Sequence, residues 1–290
     1  MKQFLFTLLL IGFLGCKDSK LPQELAITSD SSLLEMFKIS NGTYPNISVH
    51  RGGKGLVHYP ENCLETLKYV NDNISAIYEI DVAQTKDGQL ILMHDNSIHR
   101  TTNGTGLVKN LSYNELKNLN LVDDYNNETS FKIPLFSEVL KWCKANKVIV
   151  TIDIKRSVSQ EAVINAIRKA KAEGVCIIIT YDVKQAKTAY KLAPELLLSV
   201  SARNDVEFDR LLAAKIPTKN MLAFTGTRLS DASLFKRLHA ENIVCMLGTL
   251  GNLDKQAEAR GDELYKQWKT LGVDVFATDR PFEAFEAINK

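Results

Sequence analysis

Cysteine is scarce in this chain. Apart from one near the N-terminus, four occur in 290 residues, and none are paired as C-x-x-C. That argues against a structural zinc site. No spacing among Cys63, Cys143, Cys176 and Cys245 demands a disulfide, and a chain of this length buries enough core to need no staple. Cys143, Cys176 and Cys245 lie in apolar runs and are expected to pack as small hydrophobes. Charge of one sign is lacking too. The 36 basic and 34 acidic residues leave a net charge of +2, without a long basic run. No field of long range therefore draws nucleic acid, while ligands the size of a sugar or a phosphate stay open. The two tryptophans, Trp142 and Trp268, fall inside helical patterns and are expected against the wall of the core. No low-complexity linker divides the chain, so no second domain is expected.

Long apolar runs are missing everywhere but at the start. "MKQFLFTLLLIGFLGC" places Lys2 before about a dozen apolar residues and then Gly15-Cys16. The run is short for a bilayer span and has the build of an export signal. A small residue before cysteine resembles a bacterial lipobox, although Phe13 stands where leucine is preferred. Residues 1–15 are therefore expected to be a signal peptide, with Cys16 carrying lipid and anchoring an exported protein at the periplasmic or outer-membrane face. The alternatives are a plain signal peptide with an incidental cysteine, or an ordinary membrane anchor. Residues 16–44 read as a polar tether, with a short helix-like stretch near 31–38.

From Ile47 onward, short β-branched runs alternate with longer amphipathic ones. Strands are expected at 46–50, 76–82, 147–154, 175–180, 196–201, 221–225, 242–247 and 273–277. Helical patterns cover 61–72, 135–146, 158–173, 205–214, 230–241 and 255–271. Eight strands alternating with helices over residues 45–290 predict an α/β fold, a (β/α)8 barrel. One strand falls outside the alternation. "LILMH" (90–94) follows the second strand after only a Lys86-Asp87-Gly88 turn, which makes a hairpin rather than a crossover. That return would bring His94 down toward the mouth faced by the second strand. Residues 96–134 are then expected to form an irregular excursion with a helical turn near 112–119.

Strand residues two apart share a face. In "YEIDV", Glu79 and Asp81 take one face, and Tyr78, Ile80 and Val82 the other. Burying two unpaired carboxylates is costly. A divalent cation removes that cost, and oxygen ligands favour Ca2+ or Mg2+ over zinc. Salt bridges to Arg or Lys would remove it as well. Other strand ends point the same way. "SVHRGG" sets His50 and Arg51 at a strand tip, and "IVTIDIK" sets Asp153 and Lys155 two apart. Pro60-Glu61-Asn62 starts a helix and can reach over the mouth. Each group alone reads as packing or a salt bridge. Two histidines, an arginine, a lysine and three acids around one mouth are a catalytic constellation.

"HRGG…PEN", "EIDVAQTKDGQLILMHD", "RTTNGTG", "IPLFSEVL", "IDIK" and "GVDVFATDRP", in this order, resemble the motifs of the glycerophosphodiester phosphodiesterase family, from about residue 48 to 282. The resemblance implies a (β/α)8 barrel with a hairpin insertion, and metal-dependent hydrolysis of deacylated phospholipids to glycerol 3-phosphate and an alcohol. It implies Glu79, Asp81 and Asp153 as metal ligands, Asp153 standing where the family commonly has Glu. It implies His50 and His94 as general acid and base, Arg51 and Lys155 as phosphate ligands, and Glu61 as an acid near the metal. "IVCMLGT" (243–249) departs from the Trp and Asn many members carry there, which leaves the headgroup open. Lysophospholipids, another phosphodiester, or sugar-phosphate binding without turnover are the alternatives. His58 and His99 are expected on surface loops, and His239 in a structural role. "RTTNGTG" is expected to shape the mouth, and Asp279-Arg280-Pro281, which ends the last strand, either to bind phosphate or to be a structural cap.

Overall fold

The computed structural model describes residues 32–290. The expected signal peptide, Cys16 and most of the tether lie outside the described residues. The chain enters through α1 (Leu33–Met36), then β1 (Ile47–Val49), a 3-10 turn over His50–Gly52, α2 (Leu64–Asn71) and β2 (Ile77–Gln84). An excursion follows, with β3 (Leu90–Leu92), α3 (Tyr113–Leu116), β4 (Asn120–Val122) and β5 (Glu128–Lys132). Regular alternation resumes with α4 (Phe136–Asn146), β6 (Val150–Ile154), α5 (Gln160–Ala170), β7 (Cys176–Thr180), α6 (Val183–Leu192) and β8 (Leu197–Ser201). The remainder is α7 (Asp205–Ala213), β9 (Met221–Phe224), α8 (Ala232–Ala240), β10 (Val244–Gly248), α9 (Asn252–Arg260), α10 (Glu263–Thr270), β11 (Val275–Thr278) and α11 (Pro281–Asn289).

Strand β1 pairs in parallel with both β2 and β11, so β1, β2 and β6 to β11 close on themselves. The result is the expected (β/α)8 barrel. The return strand is also as expected: β3 pairs antiparallel with β2 at Val82↔Leu92 and Gln84↔Leu90. Alternation sorts the strand residues into two cores. Tyr78, Ile80, Val82, Val150 and Ile152 face outward against the helices. Inside, an apolar floor at the strand starts is built by Ile77, Ile149, Ile177, Leu197, Leu222, Val244 and Val275. Above that floor the inward positions turn polar, toward the C-terminal ends where a barrel of this kind carries its chemistry.

Several expectations shift. The folded unit begins before residue 45: Leu33, Met36 and Phe37 of the lead-in are buried against the barrel floor and close its base. The pattern over 255–271 is two helices, because Gly261 with φ 111° breaks it. Helices α6 and α11 were not expected, nor was the β4–β5 ribbon inside the excursion. The four cysteines of the described residues are free and buried, and Trp142 and Trp268 pack on the outer core.

Candidate active site

Strand β2 presents Glu79 and Asp81 to the interior, and β6 adds Asp153 in direct register with Asp81. Asp81 and Asp153 are buried, while Glu79 opens partly into the cavity. One carboxylate oxygen from each of the three lies within 4.8 Å of the others. Asn62 holds Asp81 from two sides, its Nδ2 donating to Oδ2 at 2.6 Å and its Oδ1 accepting the Asp81 amide at 2.9 Å. The Arg51 amide donates to Glu79 Oε2 at 2.8 Å. Lys155 Nζ bridges Asp81 Oδ1 at 2.5 Å and Asp153 Oδ2 at 2.8 Å. Burial pushes the Glu79 carboxyl well above the usual range and the Asp81 charge adds to this, with the Arg51 amide offsetting only part. Burial pulls Lys155 down, but the two aspartates outweigh it and hold the ammonium protonated. Three hard oxygen donors within one ion's reach, with a carboxyl poorly stabilised as an anion, fit a Ca2+- or Mg2+-type cation.

Both histidines stand at this mouth, and each has a carboxylate behind it. His50 Nδ1 lies 2.6 Å from Asp279 Oδ1, and His94 Nδ1 lies 2.6 Å from Asp95 Oδ1. Arg51 Nη2 lies 2.8 Å from His94 Nε2. A guanidinium only donates, so His94 Nε2 accepts and its Nδ1 carries the hydrogen toward Asp95. His94 is thus held in the tautomer that can take up a proton at Nε2. Burial raises the Asp279 carboxyl, but the His50 hydrogen bond and the charges of His50, Lys54 and Arg51 outweigh it and hold it low.

Arg51 reaches these partners because the backbone is forced at the strand tip. Its φ is 50° and that of Asn62 is 53°, a left-handed conformation that non-glycine residues adopt at a cost. The Asn62 amide donates to the Arg51 carbonyl at 2.7 Å and ties the two turns together. Gly52 completes the turn at φ 69°, and a Cβ there would stand 2.3 Å from Leu67 Cδ1 of α2. Glu61 lies outside the three-acid group. Its carboxylate accepts from Arg51 Nη1 at 3.2 and 3.1 Å, and from Arg100 at 2.9 and 2.7 Å. Burial opposes its ionisation, but the Arg100 hydrogen bonds and the Arg51 charge hold its pKa below the ordinary value. Arg100 also donates from Nε to Asp95 Oδ2 at 2.7 Å. That bond, more than any other contact, brings Asp95 down to about 2. One arginine of "RTTNGTG" therefore joins the carboxylate behind His94 to the one behind Arg51.

A cavity of about 270 Å³ opens over the acids. His50, His94 and Tyr181 stand around it, and Ile179, Phe224 and Met246 supply an apolar wall. The structure thus gathers His50, His94, Arg51, Lys155, Glu79, Asp81 and Asp153 at one mouth and places Glu61 one layer behind. His58 and His99 are exposed, as expected. His239 bonds Asp274 at 2.9 Å at the far end of the barrel, also as expected. In the Asp279-Arg280-Pro281 segment, Asp279 orients His50 and Pro281 starts α11. Arg100 and Tyr181 were not singled out in the sequence. The spacing of "HDNSIHR" was the available signal for Arg100, but a loop of that composition does not reveal where an arginine turns.

The sequence matches the glycerophosphoryl diester phosphodiesterase family over residues 50–283. A glycerophosphodiester phosphodiesterase of Bacillus altitudinis is 30% identical over 245 residues, covering 82% of this chain and 96% of its own. The crystal structure of a glycerophosphoryl diester phosphodiesterase from Parabacteroides distasonis superposes with a TM-score of 0.82 at 32% identity, over 88% of this chain and 90% of that one. A phosphodiesterase of Oleispira antarctica, solved with the product sn-glycerol-3-phosphate, shares the fold with a TM-score of 0.67 at 20% identity, over 85% of this chain and 98% of that one. With most of its length covered by the family match, the chain belongs to the glycerophosphoryl diester phosphodiesterase family.

Proposed function

We propose that this protein is a metal-dependent phosphodiesterase that cleaves deacylated phospholipids to glycerol 3-phosphate and an alcohol, by acid–base catalysis through His50 and His94. The observation that carries the reading is the pair of carboxylate-backed histidines facing one three-acid group. Glu79, Asp81 and Asp153 would hold Ca2+ or Mg2+, which when bound supplies positive charge to the phosphate oxygens. Arg51 turns its guanidinium from His94 toward the phosphate; its Nε finds no acceptor among the described residues. Lys155 balances the acids and adds a second positive group. One histidine takes a proton from the attacking hydroxyl or water, and the other returns one to the leaving alkoxide. Asp95 and Asp279 hold both rings in the orientation that work requires. An aspartate at position 153 is shorter than the glutamate common in the family, and Lys155 compensates by drawing Asp81 and Asp153 together.

The same proposal includes export and anchoring through a lipid on Cys16, supported by the sequence of residues 1–16 alone. Its check is metabolic labelling with a fatty acid, which would be lost in Cys16→Ser.

The catalytic reading is tested on residues 17–290 stripped of metal. Release of glycerol 3-phosphate from glycerophosphoethanolamine is assayed with calcium, magnesium or neither, beside His50→Ala and His94→Ala. Metal-dependent release, reduced about 10²–10⁴-fold or more in each variant, is the expected result. Undiminished release without metal, or in either variant, would sink the proposed chemistry.

A further inference from the structure

The base of the barrel, opposite the mouth, carries an arc of lysines. Lys144 and Lys147 end α4, Lys169 and Lys171 end α5, and Lys215 and Lys219 lie between α7 and β9. All six are exposed. These loops enter β6, β7 and β9, which lie within one run of four neighbouring strands in the barrel wall, the loop into β8 carrying Glu195 instead. The acids beside the arc are Glu173, Glu195 and, on α1, Glu35; Glu195 is bonded by Arg168 at 2.6 Å and Glu35 by Lys38 at 2.6 Å.

Lysine near a helix C-terminus is ordinary, because it complements the helix dipole. Three of these lysines go further. Lys147, Lys171 and Lys215 have φ of 56°, 53° and 59°. That left-handed position after a helix is normally filled by glycine or asparagine. Placing a long cation there three times costs backbone strain that the dipole does not require.

The second observation is where the chain leaves the barrel. Helix α1 is buried in the base and packs against the Thr218–Asn220 turn, beside Lys215 and Lys219. The described chain therefore begins at the base, beside the lysine arc, and not at the mouth. The 16 residues from Lys17 to Ser32 reach at most about 55 Å when fully extended. If Cys16 is held in a membrane, that tether keeps the base near it.

We propose that the lysine-bearing base docks on an anionic phospholipid surface and turns the catalytic mouth toward solvent, so that the enzyme draws its diester from solution and not from the bilayer. Charge complementarity selects the occupant: basic groups near an anionic leaflet are attracted within a Debye length of it. The direction of the mouth rests on the catalytic reading above; the docking itself does not, and neither part needs lipidation to be measured.

The test uses residues 17–290, which retain every element described, with vesicles of phosphatidylcholine alone or with phosphatidylglycerol. The four native cysteines among the described residues are buried, so an environment-sensitive dye can be placed on Gly174→Cys at the base or Val206→Cys at the mouth end. A Cβ at Gly174 meets nothing within 4 Å, and Val206 is 57% exposed. We expect binding that requires phosphatidylglycerol, weakens with salt, and falls about tenfold or more in Lys147→Asn/Lys171→Asn/Lys215→Asn. Asparagine suits the left-handed backbone and removes only the charge. The dye should respond at position 174 and not at 206, and turnover of a soluble diester should be unchanged on vesicles. Equal binding to neutral vesicles, no binding, or a response at 206 would overturn the proposal. Loss of turnover with the dye response confined to 174 would overturn the open-mouth part alone, whereas absent turnover without vesicles would strike the catalytic reading and leave the docking result standing.

Discussion

Glu79 is the residue under most tension. Burial and the Asp81 charge lift its pKa well above the ordinary carboxylate value. A group raised in this way binds more protons folded than unfolded, so stability falls as pH rises from the unfolded pKa, about 4.3, through the folded one. Metal-free protein should therefore become more stable on acidification from neutrality toward that value. The acid limb begins lower. Asp95, held near 2, and Glu61 and Asp279, also depressed, contribute stability that is lost only as pH falls through their folded values. Glu79→Gln keeps the shape and removes the charge. Removing a charge that burial and the Asp81 carboxylate disfavour should stabilise by about 1.4 kcal/mol or more, the equivalent of one pKa unit or more. We expect the metal-free variant to melt roughly 3–8 °C higher at neutral pH, to lose the rise in melting temperature on adding calcium or magnesium, and to be inactive. A variant that melts below the metal-free parent would contradict this account. Arg100 shows another case, a residue that acts on the site through Asp95, the carboxylate behind His94. Arg100→Lys replaces a planar fork with a point charge that cannot serve Glu61 and Asp95 together. The loss in kcat should be roughly 10–100-fold with KM little changed. Asp95 would rise from about 2 toward its ordinary value, so the acid limb of the kcat profile should move to higher pH. A purely structural role would lower the melting temperature and leave that profile in place.

At the scale of elements, legibility followed the strength of the local pattern. The β2–β3 hairpin could be read because a two-residue period runs on both sides of a Lys-Asp-Gly turn, with Gly88 at φ 79°. Helix α6 was not read, although Asp182 caps it by accepting the Gln185 amide at 2.8 Å. It buries only Ala186 and Ala189, so its apolar stripe is too faint to show a helical period. The β4–β5 ribbon was hidden for a related reason, since β5 alternates between exposed and half-buried residues and only Phe131 packs against the small core of the excursion. Within the site, Glu79, Asp81 and Asp153 could be read because alternation along β2 and β6 fixes their direction, and His50, Arg51, His94 and Lys155 because each follows the end of a strand at the mouth. The groups behind them could not. Whether Asp279 orients His50, or Arg100 links Glu61 to Asp95, depends on contacts between segments 39 to 229 residues apart. No local period encodes such distances. The lead-in was misjudged as tether because Leu33, Met36 and Phe37 are few apolar residues in a polar stretch, and only the closed barrel supplies the floor that buries them.

For the whole molecule, the barrel separates stability from chemistry along its axis. The interior of the base is apolar and plugged by α1; the interior of the mouth is polar, with Arg51 and Asn62 at its rim in left-handed conformations. Phe37 tests that separation. It is 2% exposed, stacks on Tyr44 with ring centroids 5.6 Å apart, and belongs to the floor cluster and not to the polar groups of the site. Phe37→Ala should cost about 3–5 kcal/mol, the usual range for a buried phenylalanine. Unfolding should shift to lower denaturant concentration without a change in slope. The kcat and KM of the folded fraction at 25 °C should stay within about twofold of the parent, because no bond to His50, His94 or the three acids passes through the base. A fall in kcat matching the loss of stability would mean that the floor sets the geometry of the strand ends. The plug would then belong to the catalytic apparatus, and the division along the barrel axis would not hold.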